Sequence, residues 1–89
     1  MSEFEEAIGK VTHFFPKISV CIVKLTDDLK VGDEIVIKGK TTMLRQIVES
    51  MQIEHKPIET AKAGQIIGLK VNDRVREGDT VYRITKSKP

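Results

Sequence analysis

Side chains branched at Cβ constrain this chain more than any other feature of its sequence. Isoleucine, valine and threonine supply 27 of the 89 residues, whereas leucine and alanine together supply 7. Branched side chains lose rotamer freedom in a helix and pack well on a pleated surface, so this bias favours strands. The sequence therefore predicts an all-β domain and disfavours a helical bundle.

Turn signals divide the chain into short strand-like segments. Proline, glycine and paired aspartates separate apolar runs at residues 7–15, 18–25, 34–39, 65–71 and 80–85. Residues 41–53 fit either a short helix or a long bent strand, and the bent strand is preferred because the apolar positions change phase, as a bulge permits. Six short strands without a long amphipathic helix predict a closed barrel or a small sandwich.

Length and charge limit the organisation and the partners of the chain. We predict one domain at residues 8–85, an N-terminal extension at 1–7 and a flexible tail at 86–89. The 15 lysines and arginines against 13 acidic residues leave a net charge of +2, so a nucleic-acid contact would need a local patch. An acidic N-terminus, the lack of a long apolar run and a single cysteine predict a monomeric cytoplasmic protein without membrane contact.

The sequence offers no combination of side chains typical of an active site, so we predict that the protein is not an enzyme. Cys21 lies among valine and isoleucine residues, where a thiol is a small core hydrophobe with a raised pKa. His13 and His55 have no cysteine or second histidine at ligand spacing. Residues 39–41, Gly-Lys-Thr, look like the end of a phosphate-binding loop, but Glu34 stands where that loop needs a glycine. No metal and no cofactor are predicted.

Five segments, taken in their order and spacing, resemble a known family. They are residues 9–11, 29–35, 48–52, 61–69 and 75–79, with the sequences GKV, LKVGDEI, VESMQ, AKAGQIIGL and VREGD. Together they resemble the second domain of translational GTPases, the barrel that follows the nucleotide-binding domain in elongation factor Tu. The resemblance implies a six-stranded closed Greek-key barrel that lacks catalytic activity and binds RNA, either the acceptor end of tRNA or ribosomal RNA.

The same resemblance implies an RNA contact at residues 52–56. Gln52 falls where the tRNA carriers have a glutamate that contacts the terminal adenosine, and His55 falls where they often have an arginine or a histidine. An amide can read a ribose hydroxyl, a histidine can stack on a base and a lysine can neutralise phosphate. The alternative is an ordinary polar surface loop before Pro57. The predicted RNA-binding residues are Gln52, Ile53, Glu54, His55 and Lys56.

A second candidate surface lies between the first two predicted strands. Phe14 and Phe15 are adjacent, so a regular strand cannot direct both side chains into one core. The predicted protein-interaction residues are Phe14, Phe15 and Lys17. The alternative, which the sequence favours, is that a bulge or a fold-over of the acidic N-terminus buries both rings in the core. The chain also resembles stand-alone translation-factor-like proteins and the C-terminal barrel of collagenase-type peptidases, in which the barrel is an accessory module. The alternative function is therefore a protein-interaction module that docks onto a separate enzyme or GTPase.

Overall fold

The computed structural model describes residues 3–86 and, within them, the side chains of residues 3–85. It confirms the all-β prediction, since the described residues form ten strands and no helix. No helix in this part of the chain is long and apolar enough to cross a membrane. The strands are β1 (Glu3–Phe15), β2 (Val20–Leu25), β3 (Leu29–Lys30), β4 (Glu34–Lys38), β5 (Met43–Ile47), β6 (Met51–Ile53), β7 (Lys56–Ile58), β8 (Thr60–Ala61), β9 (Ile66–Lys70) and β10 (Thr80–Lys86).

Eight of these strands form one sheet in the order β5-β4-β10-β1-β2-β9-β6-β7, and β3 pairs separately with β8. The closed six-stranded barrel is not confirmed, because the sheet has eight strands and its order ends at β5 and at β7. The bent strand predicted at residues 41–53 is instead two strands, β5 and β6, which lie in different parts of the sheet. Pro57 lies on the end strand β7, where its missing N–H leaves the sheet intact.

Strand β1 is long enough to join the two halves of the sheet. Residues 3–10 of β1 pair with β10 and residues 9–15 pair with β2, with register shifts after Ala7 and after Val11. The part of the predicted N-terminal extension that the structure describes, residues 3–7, therefore lies in a strand. Lys86, the first residue of the predicted tail, pairs with Glu3, and the remainder of that tail lies outside the described residues.

Alternation along the strands decides which side chains form the core. In β2, for example, Cys21, Val23 and Leu25 are buried, whereas the residues between them face outward. The same rule applied to the other strands gives one continuous apolar core. Its largest fully buried side chains are Ile8, Val11, Val23, Leu25, Leu29, Ile35, Ile37, Val48, Met51, Ile67, Leu69 and Val71.

A buried glutamine links the end strand β5 to the segment that follows β9. Gln46 is 6% exposed, and its Nε2 donates a hydrogen bond to the carbonyl oxygen of Lys70 over 3.0 Å. Its Oε1 accepts a hydrogen bond from the N–H of Asn72 over 2.8 Å. At this contact, which we define as the seam, side-chain hydrogen bonds take the place of strand pairing. They satisfy polar groups that would otherwise be buried without partners.

Three turns share one hydrogen-bonding pattern. In each, a backbone N–H three residues before an Asp or Gln donates to that side chain, and the N–H of the Asp or Gln donates back to the earlier carbonyl oxygen. A glycine with positive φ lies immediately before the Asp or Gln. Two of these turns are the Gly-Asp pairs of the sequence. The three turns span residues 30–33, 62–65 and 76–79.

Candidate docking site

The candidate site is the outer surface of four neighbouring strands, β1, β2, β9 and β6. Because side chains alternate along each strand, the register places one set of residues outward in three rows. The rows are Lys10, Lys24 and Ile66; His13, Ile22, Gly68 and Gln52; and Phe15, Val20 and Lys70. We define this surface as the lysine face.

Apolar side chains occupy much of the lysine face. Ile66 is 58% exposed and Phe15 is 45% exposed, while Val20 and Ile22 are half-buried. The ring of His13 stacks on the ring of Phe15, with centroids 6.4 Å apart and 9° between the ring planes. Apolar surface of this kind gains free energy when a partner removes it from water. The lysine face is therefore suited to a protein contact.

A shallow groove crosses the lysine face above Gly68. Its volume is about 360 Å³, and Ile22, Ile66 and Gln52 contribute to its lining. Gly68 forms the floor, and a Cβ atom at that position would lie 3.0 Å from the Cγ of Gln52 and 3.5 Å from the Cγ1 of Val20. Gly68 is buried, and the side chain of Gln52 lies against it, so a larger residue at position 68 would displace Gln52. The groove can receive one apolar side chain from a partner.

The hairpin between β6 and β7 forms one rim of the groove. Ile53 pairs with Lys56, so Glu54 and His55 are the two central residues of the turn. Both have positive φ, 51° at Glu54 and 66° at His55. Two-residue turns of this type prefer Asn-Gly, because the left-handed conformation is unfavourable for residues with a Cβ atom. Strain of this kind concentrates at functional sites.

Four of the five residues predicted to bind RNA line this groove. They are Gln52, Ile53, Glu54 and His55. Lys56 is exposed on β7, and it does not belong to the lining. Most of the segment singled out from the sequence therefore lies at a concave surface.

The predicted protein-interaction residues separate in the structure. Phe14 is half-buried and packs against the core, whereas Phe15 projects onto the lysine face. Lys17 is exposed in the turn between β1 and β2. Phe15 and Gln52, which belong to two different predicted sites, therefore lie on one surface.

The sequence analysis did not assign the outward residues of β2 and β9 to a site. Ile22, Ile66, Lys24 and Lys70 are all outward-facing, and Lys24 pairs with Ile66 across these two strands. One signal was present in the sequence, since the nearly continuous apolar run at residues 18–25 is typical of a strand that is covered on its outer face as well. The cross-strand register that brings β9 beside β2 could not be read from that run.

The lysines of this face differ from the cations on the opposite half of the sheet. Within the described part of the chain, Lys10, Lys24 and Lys70 make no ion pair with a carboxylate. On the outer surface of β1, β10, β4 and β5, which we define as the ion-paired face, Lys38 and Arg45 are both paired. The pairs are Lys38 with Glu5 at 2.6 Å, Arg45 with Glu3 at 2.8 Å and Arg45 with Glu34 at 2.6 Å.

The described residues do not form an arrangement suited to nucleophilic or metal chemistry. Cys21 is fully buried, and burial raises the pKa of its thiol to about 12. A thiol in this state is protonated at neutral pH and out of reach of a substrate. His13 and His55 are exposed. In residues 3–86 no group of three or more His, Cys, Asp or Glu side chains is placed to hold a metal ion.

The curated proteins that are similar in sequence to this chain include a protease and a collagenase. No protein-family model matches the chain. An uncharacterized protease of Methanocaldococcus jannaschii is 49% identical over 81 residues, which are 90% of this chain and 20% of the relative. A collagenase of Porphyromonas gingivalis is 37% identical over 81 residues, which are 89% of this chain and 22% of the relative. The chain therefore spans about one fifth of the length of the curated relatives it matches.

Solved structures show the same fold in an isolated domain. The C-terminal domain of a Geobacillus thermoleovorans protein assigned as a U32 peptidase superposes with a TM-score of 0.82 at 21% identity, over 88% of this chain and 91% of that domain. A selenomethionine variant of that domain superposes with a TM-score of 0.80 at 22% identity, over 85% of this chain and 96% of the domain. At these identities the superpositions establish the fold alone.

The prediction of a translation-factor-like RNA-binding barrel is wrong. The relatives found by sequence are a protease and collagenases, and the structural neighbours are C-terminal domains of a U32 peptidase. The collagenase-type part of the resemblance agrees with these findings. The error has a physical reason, because short β-branched strands joined by Gly-Asp turns specify an architecture that hosts unrelated functions.

Proposed function

We propose that this chain is a non-catalytic accessory domain that docks onto the catalytic part of a peptidase. The catalytic part belongs either to a separate polypeptide or to the remainder of a longer chain. The observation that carries the proposal is the pattern of coverage, since the match to the M. jannaschii protease takes in 90% of this chain but 20% of that protein. A unit of this size, matched nearly whole within a larger peptidase, is typical of an added domain.

The geometry supports binding rather than chemistry. The lysine face offers exposed apolar side chains, lysines that make no ion pair among the described residues and a groove, whereas the single cysteine is buried and protonated. Interfaces between domains of one protein are similar in size and polarity to transient protein–protein interfaces. The same surface therefore suits a partner in the same chain and a partner in a separate one.

Binding in trans tests this proposal. The partner is the M. jannaschii protease from which the segment matching this chain has been deleted, and the titrant is the full 89-residue chain. We expect a one-to-one complex with a micromolar Kd by isothermal titration calorimetry, and co-elution in size-exclusion chromatography.

The control is the intact protease, which retains its own copy of the segment. We expect the chain to bind the intact protease weakly or not at all, because the docking position is already occupied. If the chain binds neither form while circular dichroism shows that the deleted protease is folded, the accessory-domain proposal is wrong. Hydrolysis of labelled gelatin by the chain alone would also contradict it.

A further inference from the structure

We infer that the lysine face binds an acidic segment of the peptidase partner, with one apolar side chain of that segment seated in the groove above Gly68. The inference rests on the proposed function and specifies which surface docks and what it recognises. Carboxylates on either side of the seated side chain would pair with Lys24 and Lys70. The occupant is thus a peptide segment with an apolar residue between acidic ones.

Charge complementarity is the first argument. Lys10, Lys24 and Lys70 project from one surface and make no ion pair in the described part of the chain, although 13 acidic residues are present in the sequence. On the ion-paired face, by contrast, carboxylates lie within 2.8 Å of both Lys38 and Arg45. Complementary charge directs association and selects partners. The three lysines outnumber the carboxylate of Glu54 at the rim of the groove, so the surface selects a negative partner.

The groove supplies the second argument. Ile22 lies on β2 opposite Gly68, and Ile66 lies two residues before Gly68 on β9. Both line the groove beside the side chain of Gln52. A buried apolar anchor in a pocket surrounded by polar groups is the usual source of most of the binding energy at an interface. The nearby amide of Gln52 can hydrogen-bond the backbone of the bound segment.

Backbone strain provides the third argument. The non-glycine residues with positive φ in residues 3–86 are Ser19, Glu54 and His55. Ser19 immediately precedes β2 and the other two directly follow β6, so all three border strands of the lysine face. Such conformations persist where the surrounding structure requires them, and they cluster at binding sites. The strain therefore marks the same surface as the charge and the groove.

A polypeptide fits this surface better than RNA does. Binding of single-stranded RNA depends on aromatic rings that stack on bases. Four of the residues that line the groove are isoleucines, and one, His55, carries an aromatic ring. The ring of Phe15 is already stacked with His13. The chemistry of the walls favours an aliphatic or aromatic side chain from a protein.

The first test uses a defined probe and the full chain. An acetylated and amidated peptide with one leucine between two pairs of aspartates is titrated into the ¹⁵N-labelled chain, and amide chemical shifts are followed. We expect saturable shifts concentrated at residues 20–24, 52–55 and 66–70, and we expect them to weaken as NaCl is added. Absence of shifts at millimolar peptide, or shifts concentrated on β4 and β5, would overturn the inference.

Matched variants define the contribution of each part. Lys24→Glu with Lys70→Glu should weaken peptide binding at least about tenfold, whereas Lys30→Glu with Lys40→Glu changes the net charge equally and should have little effect. Ile66→Asp should also weaken binding at least about tenfold, and Met43→Asp, on the ion-paired face, should not. All these side chains are exposed, so thermal melts should show that every variant is folded.

An RNA titration and the trans complex separate the remaining outcomes. If a single-stranded oligouridylate shifts the same amides at lower concentration than the peptide does, the face is a polyanion site and the inference is wrong. If the wild-type chain binds the truncated protease but the variants of the lysine face bind equally well, the accessory-domain proposal stands and this inference fails. If the peptide binds and the protease does not, the proposed function fails instead.

Discussion

The lysine face and the ion-paired face both contain cations and exposed apolar side chains, but they differ in whether carboxylates of the chain pair with those cations. On the ion-paired face, carboxylates of β1 and β4 neutralise the cations of β4 and β5, and Val36 lies beneath this layer with only 3% of its surface exposed. Its exposed apolar side chains, Met43 and Ile47, lie on the end strand β5. On the lysine face, the lysines have no carboxylate partners among the described residues and Ile66 is left open.

The difference separates a surface whose cations form ion pairs within the chain from a surface that we propose binds a partner. Exposed ion pairs contribute little to the free energy of unfolding, so their presence on one face is not explained by stability. Hydrogen bonds to Glu3 and Glu34 nevertheless hold Arg45 in place and raise its pKa. A face with its charges satisfied attracts no partner, whereas unsatisfied charge beside apolar side chains does. Four measurements test this contrast.

The largest effect is expected from the thiol beneath the lysine face. Burial raises the pKa of Cys21 from 9.0 to about 12, so between these values the unfolded chain releases a proton that the folded chain retains. The free energy of unfolding should therefore fall as the pH rises through this interval, by up to about 1.4 kcal/mol per pH unit. Urea denaturation at several pH values measures the slope.

Cys21→Ala is the control for that measurement, and its slope should be shallower over the same pH range because the other titrating groups are common to both chains. Reaction of Cys21 with iodoacetamide at pH 8 in the folded chain would contradict the prediction that this thiol is buried and protonated. Such a result would mean that the positive charge of the lysine face lowers the pKa of the thiol and so favours the thiolate.

The next largest effect is expected at the seam that joins the two halves of the sheet. Gln46→Ala leaves the carbonyl oxygen of Lys70 and the N–H of Asn72 without their partners, and it should lower the free energy of unfolding by about 2 kcal/mol. Gln52→Ala, on the lysine face, should change it by less than about 0.5 kcal/mol. Urea melts measure both. Equal effects would mean that Gln52 serves stability rather than binding.

The turn at the rim of the groove should show a smaller effect of opposite sign. Replacing Glu54→Asn and His55→Gly together supplies the residues that a turn with two positive φ angles prefers, and it should stabilise the chain by about 1 kcal/mol. Differential scanning calorimetry would show a higher Tm. His55→Gly alone, which keeps the charge of Glu54, should bind the acidic peptide less well, and a gain in both stability and affinity would contradict a binding role for the strained turn.

The smallest effect concerns the exposed cations. Arg45→Met keeps an apolar stem but removes the ion pairs with Glu3 and Glu34, so the Tm should fall slightly at low salt. The difference from wild type should disappear near 1 M NaCl, where the Debye length is about 3 Å. Lys24→Met should leave the Tm unchanged at either salt concentration. A loss of Tm in Lys24→Met would show that this lysine has a structural partner.

Local chemistry made part of this fold predictable. The β-branched composition predicts strands, and the Gly-Asp pairs predict turns because glycine adopts positive φ and aspartate bonds the backbone, as the turns at residues 30–33 and 76–79 do. Adjacent aromatics cannot share a face of a strand, and Phe14 and Phe15 do divide between the core and the surface. These features depend on a few neighbouring residues.

Features that depend on distant segments were not predictable. Residues 41–53 form two strands because Val48 exchanges backbone hydrogen bonds with residues far earlier in the chain, donating to Asp33 over 2.8 Å and accepting from Gly32 over 2.9 Å. The groove likewise depends on the register that places Gly68 between Ile22 and Gln52. A resemblance predicted an RNA contact at residues 52–56, the comparisons contradict that function, and the rest of the lysine face appears only when β9 lies beside β2.

The path of β1 has a consequence for the order in which the molecule folds. Its residues 3–10 pair with β10, so the two extremes of the described chain must meet before the β1–β10 ladder exists. The β4–β5 and β6–β7 hairpins join segments close in sequence and form without that search. Because non-local pairing carries the entropy of closing a long loop, we expect refolding in milliseconds to seconds rather than microseconds. The ion-paired face contains both β1 and β10, so it is not complete until that slow encounter has occurred, whereas the lysine face requires the pairing of β2 with β9.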